Sequence, residues 1–154
     1  MAVREILRFG DKTLERVSKR VDIVDESIIK LVEDLKDTLY STTGIGLAAP
    51  QIGVLKRVLL IDLRDGGEPI ILVNPKIVAK VGKEEEIEGC LSYPGYEGYV
   101  VRPKKVTVHG VNLKGEAVEY LAEDLLAKAF CHEIDHLDGV LYTHRAKKMY
   151  KIEE

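Results

Sequence analysis

The chain has 154 residues and a net charge of -3, so we expect residues 1–154 to form one domain around one core. No segment approaches the roughly 18 uncharged apolar residues that a membrane span needs, and the N-terminus lacks the apolar core of a signal peptide. The acidic balance argues against a general nucleic-acid binder. These features predict a cytoplasmic protein with no membrane contact and no specific DNA binding.

The chain begins with predicted helices and continues with predicted strands. Apolar residues recur at helical spacing over 25–43, with Asp25 as N-cap and Gly44 as the stop, and a shorter helix is expected over 11–17. The segment 83–86 is predicted to be a charged turn or an edge strand. Short runs of Val, Ile and Leu bounded by Gly, Pro or Asp predict strands at 57–63, 70–73, 77–81, 99–101, 106–111 and 117–121.

The last clear helix is predicted to begin near Asp124 and to end at Gly139. Residues 145–154 form a polar tail for which a further helix is one option. Runs of strands between helices indicate an α+β fold with mainly antiparallel pairing. On the last helix, one face carries Leu125, Ala129, His132 and His136.

The stretch from His132 to His136 reads H-E-x-x-H. Residues four apart project from the same side of a helix, so the two imidazoles can bind one divalent metal. Glu133 can then act as the base for a water on that metal. The pattern therefore predicts metal-assisted hydrolysis.

A catalytic metal site usually has three protein ligands and an open position, so a third ligand is needed. His144 lies downstream, and Cys90 lies upstream in a glycine-containing segment that predicts an exposed turn. Cys90 and Cys131 are the two cysteines, too few for a disulfide framework, although one bridge between them is an alternative. Residue spacing alone leaves the third ligand open.

A third motif, G-I-G-L-A-A-P-Q, spans residues 44–51. Gly44 and Gly46 permit close approach of a ligand to the backbone, and Gln51 provides an amide donor. Gln51 is the only glutamine in the chain. A helix terminus followed by a loop would explain both glycines equally well.

Together, G-x-G-L-A-A-P-Q, E-G-C-L-S and H-E-x-D-H-L resemble the three signature motifs of the peptide deformylase family, in the same order and with similar spacing. The resemblance implies one deformylase-like catalytic domain over 1–154. It also implies an α+β fold in which antiparallel sheets pack around a central helix that carries the two histidines. The chain departs from some members that carry an arginine shortly after the cysteine motif, because it has Glu97 in that region.

The resemblance also implies a role for each motif residue. One divalent metal ion per chain would be held by Cys90, His132 and His136, with Glu133 as catalytic acid and base. Gln51 and the Leu91 backbone N–H would bind the oxyanion. We place the substrate against five residues that belong to the motifs or flank them: Gly44, Ile45, Gly46, Leu125 and Ala129.

The implied substrate is a nascent peptide beginning with N-formylmethionine, and the ribosome is a candidate partner. The implied metal is Fe(II) in the cell, with Zn, Ni or Co as alternatives in purified protein.

Two other functions remain open from the residues alone. One is a metallopeptidase that cuts internal amides and uses His144 or a carboxylate as third ligand. The other is a non-catalytic metal-binding protein whose site is closed by a fourth ligand.

Overall fold

The computed structural model describes residues 2–152 and contains two antiparallel sheets and a buried histidine-bearing helix. The helices are α1 (Glu26–Tyr40), α2 (Leu125–Leu137) and α3 (Tyr142–Arg145), with 3-10 turns at Lys12–Glu15 and Ala49–Ile52. None of the helices within 2–152 has the length and apolarity needed to cross a membrane. The strands are β1 (Gly46–Ala48), β2 (Val58–Ile61), β3 (Ile70–Val81), β4 (Glu84–Glu88), β5 (Tyr96–Arg102), β6 (Lys105–Val111), β7 (Ala117–Glu123) and β8 (Met149–Lys151).

The larger sheet has the strand order β1-β2-β3-β6-β7, and the smaller one has the order β4-β5-β8. All pairings within these sheets are antiparallel. The predicted α+β class with mainly antiparallel sheets is therefore confirmed. The charged segment predicted as a turn or edge strand is β4, which lies at the edge of the smaller sheet.

Strand β2 explains how both long helices are held, because its four residues are all buried. Successive side chains of a strand point to opposite faces. Leu59 and Ile61 pack in a core cluster with α2, whereas Val58 and Leu60 pack in a second cluster with α1. The sheet thus separates two apolar cores, and α2 is fixed in the interior along most of its length.

The long strand β3 corrects the prediction of two strands at 70–73 and 77–81. The register shifts between Val73 and Lys76, where Asn74 takes a positive φ of 51° before Pro75. The Asn74 side chain donates to the Val21 carbonyl at 2.7 Å and accepts from the Val21 N–H at 2.8 Å. The bulge accommodates Pro75, whose nitrogen cannot donate a hydrogen bond to the neighbouring strand. Strand β3 therefore continues past the proline.

Three other predicted boundaries also change. The helix predicted over 11–17 is a 3-10 turn, Lys12–Glu15, with Asp11 accepting from the Thr13 N–H. The helix predicted over 25–43 begins after its N-cap Asp25, as expected, but ends at Tyr40, before Gly44. The polar tail, for which a helix was only one option, forms β8 beside β5, and residues 153–154 lie outside the described part of the chain.

Candidate metal centre and active-site cleft

Cys90, His132 and His136 bring three metal-ligating atoms within 4.8 Å of one another. Cys90 lies in the turn after β4, and its Sγ is 3.3 Å from His136 Nε2. The two histidines lie one turn apart on α2, with ring centroids 5.0 Å apart. This is the only such cluster within residues 2–152. His144 is not part of it, since its side chain is half exposed and accepts from the Leu141 N–H.

Glu88 orients His132 from the side away from the cluster. The buried Glu88 carboxylate accepts a hydrogen bond from His132 Nδ1. Burial acts to raise the pKa of Glu88, but the hydrogen bonds from His132 and Arg102 outweigh it and lower the pKa to about 2. An ionised Glu88 keeps the imidazole proton on Nδ1, which leaves the Nε2 lone pair for a metal.

Arg102 and Asp135 extend this buried network. Arg102 donates to both oxygens of Glu88, at 3.1 and 2.7 Å, and to Asp135 Oδ2 at 2.6 Å. Arg145 closes it with two hydrogen bonds to Asp135, at 2.6 and 3.0 Å. Sequence reasoning assigned no role to any of these four residues. Glu88 and Asp135 lie inside recognisable motifs, but nothing in the sequence marks the two arginines.

Glu133 is buried beside the cluster, and its Oε1 has no hydrogen-bond partner within residues 2–152. Burial raises the pKa of Glu133 to about 7. Glycine at position 46 leaves space for this carboxylate: a Cβ there would lie 2.6 Å from Glu133 Oε2, and the Glu133 side chain would have to shift. An unpaired carboxyl group with a pKa near neutrality can both accept and release a proton.

The orientation of the Gln51 amide is fixed by its neighbours. Its Oε1 accepts from the Ala48 N–H at 2.9 Å, so Nε2 points the other way. Nε2 donates to Ser92 Oγ at 3.1 Å and lies 3.6 Å from Cys90 Sγ. A side-chain donor is thus held next to the candidate ligand. Leu91 follows Cys90 in the turn after β4. Its side chain packs so closely against Gly44 that a Cβ at position 44 would lie 2.8 Å from Leu91 Cδ1.

These residues line a cleft of about 520 Å³. Of the predicted substrate-contacting residues, Gly44, Ile45, Gly46 and Ala129 line it, as do Gln51, Leu91 and Glu133. Leu125 does not: it begins α2 with its side chain 45% exposed, and it is absent from the lining. The prediction that Leu125 contacts the substrate rests on helical spacing, which gives a face of the helix but not the depth to which the cleft runs. Sequence reasoning missed four further side chains that line the cleft, which we call its rim: Tyr93, Tyr96, Lys128 and Ile152.

The donor set fits a divalent transition metal. One thiolate and two imidazoles bind such ions well, and one side of the cluster opens into the cleft. Burial and the nearby His132 hold the pKa of His136 well below its usual value, so this ring is in the neutral form that binds metals. Burial acts to lower the pKa of His132, but the nearby Glu133 and the hydrogen bonds with Cys90 and Glu88 outweigh it and raise the pKa well above its usual value, so metal binding there displaces a proton.

The fold and this centre define a metal-dependent hydrolase with an H-E-x-x-H helix. Residues 3–151 match the family described as Polypeptide deformylase. A peptide deformylase of Acetivibrio thermocellus is 52% identical over 145 residues, covering 94% of this chain and 84% of the relative. The chain belongs to the polypeptide deformylase family.

Solved structures agree with this assignment. A peptide deformylase from Legionella pneumophila superposes with a TM-score of 0.92 at 45% identity, covering 95% of this chain and 87% of that one. One from Thermotoga maritima gives 0.91 at 37% identity, covering 96% and 100%. The chain is accordingly a hydrolase of protein biosynthesis that removes the N-formyl group from nascent peptides.

Proposed function

We propose that this cleft hydrolyses the formamide of peptides beginning with N-formylmethionine, with Cys90, His132 and His136 holding one divalent ion. A metal bound there supplies Lewis acidity and lowers the pKa of a water molecule. The observation that carries the proposal is the convergence of these three ligand atoms next to the buried Glu133, whose Oε1 has no hydrogen-bond partner in the described part of the chain. The products are formate and a peptide with a free amine.

Glu133 is the proposed proton carrier. It accepts a proton from the attacking water and delivers it to the departing amide nitrogen, which leaves as an amine. The same carboxyl group must be a base in one step and an acid in the next, and a pKa near 7 suits both roles. Its burial excludes bulk water that would otherwise exchange that proton.

Gln51 and the Leu91 backbone N–H are the proposed donors to the oxyanion. The Gln51 amide is already oriented by the Ala48 N–H, so little reorganisation is needed as charge develops on the formyl oxygen. We place the methionine side chain against Ile45 and Ala129, which are apolar and line the cleft. Gly44 and Gly46 line the cleft beside this wall, and we place the substrate backbone against them.

We propose Fe(II) as the ion in the cell and expect Zn, Ni or Co to occupy the site in purified protein, because thiolate and imidazole donors accept all four. We also propose that residues 1–154 form a single catalytic domain that acts in the cytoplasm. Nascent peptides are made there by the ribosome, which we propose as the partner that presents the substrate.

The test is formate release from formyl-Met-Ala-Ser by metal-loaded protein, with acetyl-Met-Ala-Ser as the matched control. We expect formate from the first peptide and no hydrolysis of the second. Cleavage of internal peptide bonds with no formate release would favour the metallopeptidase instead. That alternative is disfavoured by Cys90, which lies in the cluster, and by His144, which does not.

A further inference from the structure

The C-terminal strand β8 brings Ile152 to one side of the cleft. Its residues pair with β5 in the order Tyr96 with Lys151, Glu97 with Tyr150 and Gly98 with Met149. The ladder is extended by the Ile152 N–H, which donates to the Gly95 carbonyl at 2.8 Å. As a result, Ile152 lines the same cleft as the candidate metal centre.

Position 98 shows that β5 is shaped to receive this tail. A Cβ at Gly98 would lie 2.6 Å from Met149 Sδ, 2.9 Å from the Lys148 carbonyl and 3.1 Å from Ala146 Cβ. Only glycine leaves room for the backbone to pass here, since a backbone carbonyl cannot move aside as a flexible side chain can. The tail is held at its start as well, by the two hydrogen bonds from Arg145 to Asp135.

The wall to which Ile152 belongs is aromatic and apolar. Tyr93 and Tyr96 both line the cleft, and their rings stack with centroids 4.6 Å apart and planes 11° apart. Phe9 stacks on the other side of Tyr93 at 4.8 Å, which fixes the tyrosine in place. Ile152 is 45% exposed, so it presents apolar surface to whatever occupies the cleft.

The position of this wall indicates its occupant. The formyl end of the substrate has to reach the two histidine ligands and Glu133, which are buried. The exposed part of the cleft is then left for the residues that follow methionine. Among the lining residues outside the metal centre, the one charged side chain is Lys128, which belongs to α2 rather than to β5 or the tail. The tail side of the cleft therefore suits an apolar side chain.

We propose that Ile152, with Tyr93 and Tyr96, forms a subsite for an apolar side chain of the formylated peptide downstream of methionine. The C-terminal strand is then a specificity-determining element of the enzyme, although it is remote in sequence from all three motifs. This inference rests on the proposed function of the cleft.

The test compares three peptides, formyl-Met-Ala-Ser, formyl-Met-Leu-Ser and formyl-Met-Ala-Leu, on metal-loaded full-length protein. We expect the wild type to show a lower KM for at least one leucine peptide than for the parent. Ile152→Ala should raise that KM about three- to tenfold, below the full value of an enclosed apolar pocket, and Ile152→Asp should raise it further. Ile152→Leu should keep the preference, and kcat should stay within about twofold throughout, because Ile152 neither ligates the metal nor transfers a proton in the proposed reaction.

Two further variants separate recognition from general damage. Ile23→Ala removes an isoleucine that is 74% exposed and does not line the cleft, so it should leave all three KM values unchanged. Gly98→Ala should displace the tail and reproduce the effect of Ile152→Ala without altering any residue of the wall.

The outcomes that would overturn the inference are distinct from failure of the proposed function. If the wild type releases formate from formyl-Met-Ala-Ser but shows no leucine preference, or if Ile152→Ala leaves the preference intact, the subsite is wrong. An equal fall in kcat on all three peptides would place Ile152 in support of the metal centre and would also overturn it. No formate release by the wild type would instead refute the proposed function.

Discussion

The floor of the cleft and its rim differ in how their side chains are held. At the floor, His132, Glu133 and His136 are buried on a helix that packs against the sheet, and Glu88, itself held by Arg102, accepts a hydrogen bond from His132. At the rim, Ile152 belongs to a three-residue strand and Lys128 is partly exposed. Fixed geometry is found where bonds are broken, and accessible surface is found where different peptides have to be accommodated. Floor variants should therefore change kcat, and rim variants should change KM.

Glu133→Ala should have the largest effect on turnover. Oε1 of this residue makes no hydrogen bond to any of residues 2–152, so removal of the carboxyl group should leave the metal in place. Loss of acid and base assistance should lower kcat by about 10²–10⁴-fold. Formate release gives the rate, and elemental analysis of the same sample gives the metal content. A loss smaller than about tenfold would reject the proton-carrier role.

Gln51→Leu should lower kcat by about 10²–10³-fold and change KM much less, because the lost donor acts mainly in the transition state. The variant also removes the acceptor for the Ala48 N–H, so its thermal unfolding should be measured alongside. A wild-type kcat with a raised KM would mean that Gln51 only positions the substrate.

Glu88→Gln should weaken metal binding by about 10–100-fold, the usual effect of losing the group that orients a ligating histidine. The neutral amide no longer balances Arg102, and it no longer fixes the proton of His132 on Nδ1. Competition with a chelator measures the affinity. Glu86→Gln is the matched control, because this exposed residue lies two positions away on the same strand. Equal affinities in the two variants would show that Glu88 does not support the site.

The smallest effect is expected at Leu125. Because it is exposed and outside the cleft lining, Leu125→Ala should change kcat and KM by less than about twofold. Ile45→Ala, within the lining, should raise KM about three- to tenfold for formylmethionyl peptides. Equal effects of the two substitutions would place the methionine side chain elsewhere.

The local part of the site could be predicted from the sequence. The spacing of His132 and His136 fixes their common face on α2, and both rings join the cluster of ligand atoms. The two long helices, α1 and α2, and most strands follow from apolar periodicity for the same reason, since that signal is carried by neighbouring residues.

Long-range pairing could not be predicted in this way. Arg102 and Arg145 belong to a residue type that is usually exposed. Both are held by hydrogen bonds to Asp135, which lies in another element of the chain. The tail forms a strand because β5 offers it an edge, and that edge is not visible in the tail's own sequence. In β3, the Asn74 side chain stabilises the bulge through a partner more than fifty residues away, at Val21.

The central claim is that Cys90 completes a metal site with the two histidines of α2. The most direct measurement is the metal content of Cys90→Ala beside Cys131→Ala, by elemental analysis after identical purification. Cys131 is a buried core residue that is not part of the cluster. The account predicts about one ion per chain in the wild type and in Cys131→Ala, and loss of most of it in Cys90→Ala. Full occupancy in Cys90→Ala would contradict it.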